Sequence, residues 1–201
     1  MADQSPSASS PHPGAILAIS GSLRRASTNT AALRAAARAA ARDGIRVTLD
    51  GSFHELPSFS PDLEADPPES VLSFRKACED AAGLLLAVPE YTFGIPGAFK
   101  NALDWTVGSG SLYQKPVTVL KVSPPGRGRY ACKTLGLALR AHGAVVLHRA
   151  VQVSRRDLDV WGEVSDSRIV AELRAVVCEL ATQAHPAAAR PRITIGGLTQ
   201  A

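Results

Sequence analysis

Short apolar runs alternate with amphipathic stretches from about residue 15 to residue 183. AILAIS (Ala15 to Ser20) and GLLLAVP (Gly83 to Pro89) are apolar almost throughout. That is the pattern of strands covered on both faces. IRVTLD (Ile45 to Asp50), PVTVLKV (Pro116 to Val122) and AVVLHRAVQV (Ala144 to Val153) are rich in β-branched residues and read as three more strands. The intervening segments have helical composition. NTAALRAAARAAARDG (Asn29 to Gly44) combines the two best helix formers among small and basic residues, with Gly44 as its stop. Further helices are predicted over Pro68 to Ala81, Pro96 to Val107, Tyr130 to His142 and Ser167 to Gln183. Gly51 to Ser70, broken by Pro57, Pro61, Pro67 and Pro68, is expected to be a long irregular loop with a functional or interface role.

Strands that alternate with helices imply an α/β fold: a parallel sheet with helices on both faces. Right-handed crossovers leave few topologies, and the simplest is a flavodoxin-like three-layer sandwich, a parallel five-stranded sheet in the order 2-1-3-4-5. In such sheets ligands bind beyond the carboxyl ends of the strands, at the point where the strand order reverses. Three loops are therefore of interest: those after the first, third and fourth strands.

Composition narrows the setting. The chain has 201 residues, enough for one well-cored domain, read here as 14–184. Residues 1–13 and 185–201 are expected to be a disordered and a flexible tail. Residues 1–13 lack the charged start and apolar centre of a secretory signal, and no apolar run approaches a membrane span. A cytoplasmic protein that does not bind membranes is the expectation. The formal charge of +4 mildly favours anionic ligands. Nucleic-acid binding is not expected, because the Lys and Arg residues form no continuous stripe. Cys78, Cys132 and Cys178 are widely spaced and read as packing residues in a reducing compartment, so no metal site or disulfide is assigned.

The first loop, SGSLRRASTNT, gathers Ser20, Ser22, Ser27, Thr28, Asn29 and Thr30 with Arg24 and Arg25 just before a helix. A helix N-terminus offers unpaired amides and the positive end of its dipole, and Arg24 adds a forked cation. This is chemistry suited to a phosphate; the plainer reading is that Ser27 or Asn29 only caps the helix. The loop has no Walker pattern, no G-x-G-x-x-G and no cysteine, so it holds phosphate rather than reacting with it. The third-strand loop, PEYTFGIPGAFKNALDW, offers Pro89, Glu90, Tyr91, Thr92 and Phe93 as the wall of a cleft for an aromatic ligand. Lys100 and Asp104 read as an i,i+4 ion pair rather than catalytic groups. The fourth-strand loop, SPPGRGRY, adds Ser123, Gly126, Arg127 and Arg129.

Together, GSLRRASTN and PEYTFGIPGAFKNALDW resemble the NAD(P)H-dependent FMN reductases, a family that includes flavin, quinone and chromate reductases. The family pattern G-S-x-R-x-x-S-x-N is met at Gly21, Ser22, Arg24, Ser27 and Asn29, and the resemblance implies that Ser22, Arg24, Ser27 and Asn29 hold the FMN phosphate. Pro89, Glu90 and Tyr91 match P-E-Y-N, while Thr92 replaces the family asparagine. Gly97, Lys100, Asn101, Asp104 and Trp105 match G-x-x-K-N-x-x-D-W. The resemblance further implies that the Tyr91 segment lies along the flavin ring and that Ser123 and Gly126 contact the flavin. It implies hydride passage from NADPH or NADH through FMN to a quinone, free flavin, azo or metal-oxyanion acceptor. It also implies a homodimer or homotetramer, with the long loop and the helix after P-E-Y at the interface. The cofactor carries the redox chemistry, so no side-chain acid or base is nominated, and His12, His54, His142, His148 and His185 fall outside the three loops. Two rival readings are an FMN electron carrier that does not use a nicotinamide and a non-enzymatic flavodoxin-like binding module.

Overall fold

A computed structural model describes residues 14–124 and 126–184. The two expected tails, His12, His185 and Pro125 lie outside the described residues. Five strands, β1 (Ile16–Ser20), β2 (Val47–Asp50), β3 (Gly83–Ala87), β4 (Pro116–Val122) and β5 (Val145–Val151), form one parallel sheet. Their order is β2-β1-β3-β4-β5, as the alternation of elements implied. The helices are α1 (Thr28–Ala40), α2 (Glu69–Asp80), α3 (Gly97–Val107), α4 (Arg129–Ala141) and α5 (Ser167–Gln183).

The strand pleat sorts the apolar residues into two cores. Ile16, Ala18, Leu85 and Ala87 face one side with α1 and α5; Leu17, Ile19, Leu84 and Leu86 face the other with α2, α3 and α4. This explains why β3 is apolar throughout and β1 is apolar up to its last residue, Ser20: each of these apolar residues is covered, whichever way it points. Alanine does the same for α1. Ala31, Ala32, Ala35, Ala36, Ala39 and Ala40 are all buried, so the helix backbone lies close to the sheet and to α5.

Boundaries shift from the sequence expectation for local reasons. The α1 helix ends at Ala40, tightens into a 3-10 turn at Ala41–Asp43 and stops at Gly44, whose φ of +72° suits glycine. Ile45 closes that turn by donating its amide to Ala40 O at 3.2 Å, which delays β2 until Val47. The long loop holds two 3-10 turns, Ser52–Glu55 and Pro61–Leu63. At the end of α2 a lysine that no pattern singled out, Lys115, is buried. Its ammonium donates to Cys78 O, to Glu79 O at 2.8 Å and to Ala81 O at 2.7 Å. A buried cation is tolerated there because helix-end carbonyls surround it.

A cavity of about 370 Å³ lies at the amino ends of the strands, lined by Gly14, Arg46, Ala82 and Ala184 among others. It adjoins both ends of the described chain and gathers none of the motif residues. No helix among the described residues is long and apolar enough to cross a membrane.

Candidate functional site

The three motif loops meet at the carboxyl ends of β1, β3 and β4, and direct contacts tie them together. The Gly21 amide donates to Ala87 O at 2.8 Å, extending the β1–β3 pairing one residue into the loops. A Cβ built at Gly21 would sit 2.6 Å from Val88 Cγ1 and 3.4 Å from Phe99 Cγ, so only glycine lets the first loop approach the third this closely.

Within the first loop the small polar residues divide into two groups. Ser27 is the N-cap of α1 and accepts from the Thr30 amide at 3.3 Å. Ser20 Oγ accepts from Thr30 Oγ1 at 2.8 Å and from the Ser22 amide at 3.4 Å. These bonds shape the turn. Asn29 is different: it is 5% exposed, and its Oδ1 has no hydrogen-bond partner. A buried amide oxygen left unpaired is uncommon and asks for a donor or a rotated amide in the complete site. Ser22 and Thr28 are half-buried, and Arg24 and Arg25 extend into solvent with no hydrogen bond or ion pair among the described residues. Capping therefore accounts for Ser27 but not for Asn29, Ser22 or Arg24. Their donors, with the open amides of α1, fit a phosphate monoester.

The third loop is built around a tight turn. Tyr91 and Gly94 exchange backbone hydrogen bonds of 3.0 and 2.9 Å, with Thr92 (φ +50°) and Phe93 (φ +58°) between them in the left-handed region. Such turns favour Asn-Gly, and a β-branched threonine there is strained. The turn leaves Tyr91 and Phe93 exposed. Pro89 and Glu90 precede it, half-buried. The Glu90 carboxylate is not left free toward a ligand. Its Oε2 accepts from the Tyr130 amide at 2.7 Å and the Ala131 amide at 3.0 Å. It caps α4 from another loop, because the helix's own N-cap is Gly128, which has no side chain to offer. Gly128 cannot readily be replaced by a capping residue: its φ is +76°, and a Cβ there would lie 2.7 Å from Ser123 Oγ.

The fourth loop closes on itself. Ser123 Oγ donates to Arg127 O at 2.9 Å, and Gly126 turns with φ +79°. Arg129 lies over the Tyr130 ring, 4.5 Å from its centroid, and donates to its hydroxyl. Phe93 meets the same ring edge-on, centroids 5.0 Å apart. Cys132, one turn into α4, remains a thiol because burial pushes its pKa up.

The second half of the PEY motif does structural work. Lys100 and Asp104 form the expected i,i+4 pair. Asn101 Nδ2 and Trp105 Nε1 both donate to Pro57 O, at 2.9 and 2.8 Å, and Asn101 Oδ1 accepts from the Phe59 amide at 2.7 Å. Arg75 donates to Trp105 O at 2.6 Å and forks onto the Glu64 carboxylate at 2.9 and 2.8 Å. Asn101 and Trp105 thus fasten the long loop to α3. Spacing of four on one helix face, opposite a proline-rich loop, was the available signal. The histidines are engaged elsewhere. His54 bonds Gly51 O, His142 lies 2.8 Å from Ala138 O and 3.0 Å from Leu103 O, and His148 packs beside Gly136.

Comparison with known proteins gives the family. The chain is 31% identical over 175 residues to a probable NADPH:quinone oxidoreductase 2 of Oryza sativa subsp. japonica, covering 82% of this chain and 86% of the relative. It is 41% identical over 90 residues to a 2-hydroxy-1,4-benzoquinone reductase of Burkholderia sp, covering 45% and 48%. Its structure is similar to FerB, a flavoenzyme NAD(P)H:(acceptor) oxidoreductase from Paracoccus denitrificans. The TM-score is 0.72 and the identity 29%, over 85% of this chain and 96% of the other. A flavodoxin from the domain Archaea, at 11% identity and TM-score 0.57 over 84% and 96% of the two chains, shares the fold. The model of the NADPH-dependent FMN reductases matches residues 15–157, the stretch that contains all three loops, and the chain belongs to that family.

Proposed function

We propose that FMN binds across these three loops, its phosphate on Ser22, Arg24, Ser27, Thr28, Asn29 and the first amides of α1, its ring along Pro89 to Phe93 and toward Ser123 and Gly126. The observation that carries this assignment is the gathering of half-buried Ser22 and Thr28, and of Arg24, unpaired among the described residues, around the open first amides of α1 at the carboxyl end of β1; Asn29 joins them through its amide nitrogen, with its unpartnered oxygen turned away from the anion. The protein is an NAD(P)H-dependent oxidoreductase whose acceptor is a quinone, flavin, azo compound or metal oxyanion; the quinone reductases among its relatives favour the first. When bound, FMN supplies the two-electron chemistry that links nicotinamide to acceptor. The chain's own contribution is positional. The first loop fixes the anionic end, and the Glu90 clamp sets the spacing of the two loops beside the ring. No side chain is assigned a proton-transfer role.

The same reading takes the protein to be cytoplasmic, in keeping with free Cys78, Cys132 and Cys178. It also takes the protein to be a homodimer or homotetramer. Leu63 and Val107 are exposed on the long loop and α3, the region assigned to the interface.

The test is an absorbance titration of purified protein with FMN, followed by anaerobic NADPH. Uptake of FMN and prompt bleaching are expected. Uptake without bleaching would make the protein an electron carrier, and no uptake would make it a different binding module. Arg24→Ala is expected to weaken FMN binding by about 1.5–3 kcal/mol, the range of a charge-assisted hydrogen bond. An unchanged dissociation constant would remove Arg24 from the site.

A further inference from the structure

Two large aromatic side chains stand open to solvent where the third and fourth loops meet. Phe93 is 72% exposed and Tyr130 38% exposed. Contiguous exposed apolar surface points to a binding site, whereas singly scattered apolar residues do not. These two are also held in place. Phe93 sits in the left-handed turn closed by the paired Tyr91 and Gly94 backbones, and Tyr130 donates its own amide to the Glu90 carboxylate. The rings meet edge-on at 70° with centroids 5.0 Å apart, and Phe93 keeps most of its surface open beside that contact. Arg129 covers Tyr130 and brings a cation to the edge of that corner. Arg127 is exposed on the same loop. Glu90, whose carboxylate reaches this corner, is already matched to the positive end of α4.

We propose that Phe93, Tyr130 and Arg129 form the acceptor-recognition corner of the enzyme and select planar aromatic acceptors that carry an acid group. This rests on the FMN-reductase reading and names the substrate class for it. The rings supply stacking area at small entropic loss, and the guanidinium supplies the charge that distinguishes an acidic acceptor from its neutral analogue. The alternative source of an aromatic anion is the adenosine 2′-phosphate of NADPH. A corner of two rings suits a compact acceptor better than an extended dinucleotide.

The experiment uses FMN-loaded protein and redox-inert probes, read by calorimetry. They are 2-naphthalenesulfonate, its neutral counterpart 2-naphthalenemethanol, and 2′-AMP as a stand-in for the NADPH adenosine end. Wild type is expected to prefer the sulfonate. Arg129→Gln is expected to reduce the sulfonate-to-neutral affinity ratio about fivefold, the scale of one exposed charge contact. Arg129→Lys should retain most of the ratio, and Phe93→Ala should weaken both naphthalene probes together. Added salt should erode the wild-type preference. An unchanged ratio in Arg129→Gln, or a loss confined to 2′-AMP, would overturn the assignment. Failure of the underlying reading would show earlier and separately, as protein that takes up no FMN.

Discussion

The first and third loops lie side by side and are built on opposite plans. The first is polar and folded inward. Thr30 donates to both Ser20 and Ser27, Gly21 presses against Val88, and Asn29 is buried with an atom unmatched. The third is aromatic and turned outward, with Tyr91 and Phe93 exposed on a strained backbone turn. One loop is prepared for a fixed anion and the other for a flat surface that exchanges partners. A resident phosphate rewards a rigid, preorganised cradle, whereas a site visited in turn by nicotinamide and acceptor needs open faces. The polar cradle and the open aromatic surface are joined by the Gly21–Ala87 bond, by the approach of Gly21 to Val88 and by the scaffold beneath them.

That shared scaffold gives the largest expected effect. Cys78, packed in the core with Ile19, Leu86 and Phe99, has its thiol pKa pushed up to about 12 from 9.0, by burial. The folded state therefore holds a proton that the unfolded chain releases above pH 9.0. Stability from this group is complete below that pH and is lost as pH rises toward 12, by up to about 1.4 kcal/mol per pH unit. Urea melts from pH 8 to 11 should show the decline, and Cys78→Ala should flatten it. If the two loops depend on one scaffold, FMN binding should fall in step.

Next in size is Gly21→Ala. Overpacking against Val88 is expected to destabilise by about 1–3 kcal/mol and to push the two loops apart, lowering FMN affinity as well as the melting temperature. A variant with normal affinity would show that the loops are independent. Glu90→Ala acts on the outward loop alone. Losing a helix cap should reduce stability by about 0.5–2 kcal/mol, while Glu90→Gln, which still accepts hydrogen bonds, should lose less. Denaturant titrations distinguish the two. Thr92→Asn is expected to move the other way. Asparagine tolerates the left-handed backbone better than threonine, so a gain of about 0.5–1 kcal/mol in the same assay is expected. No gain would mean that the turn is not strained in solution.

What the sequence discloses about these loops follows from the range of the interactions. The apolar runs and helix stops announce the order of elements because they are local, and the topology rules then place the loops. The N-cap at Ser27 and the Lys100–Asp104 pair are likewise within four residues and were legible. The Glu90 cap was not, since its partner amides lie 40 and 41 residues away and are recognisable only once Gly128 is seen to cap nothing. The role of Asn101 and Trp105 was hidden in the same manner, because Pro57 comes within reach only after the long loop folds back on α3. The left-handed pair at Thr92 and Phe93 runs against local preference, so propensity argues for a different turn. Tertiary closure between Tyr91 and Gly94 overrides it.

The central claim is that the first loop grips a phosphate. The direct measurement is the dissociation constant of FMN against that of riboflavin, which has the same ring and lacks the phosphate. Loss of contacts to the α1 amides, Ser22, Arg24 and Asn29 should weaken riboflavin by about a hundredfold or more, the sum of a few charge-assisted hydrogen bonds. Equal affinity for the two flavins would contradict the account.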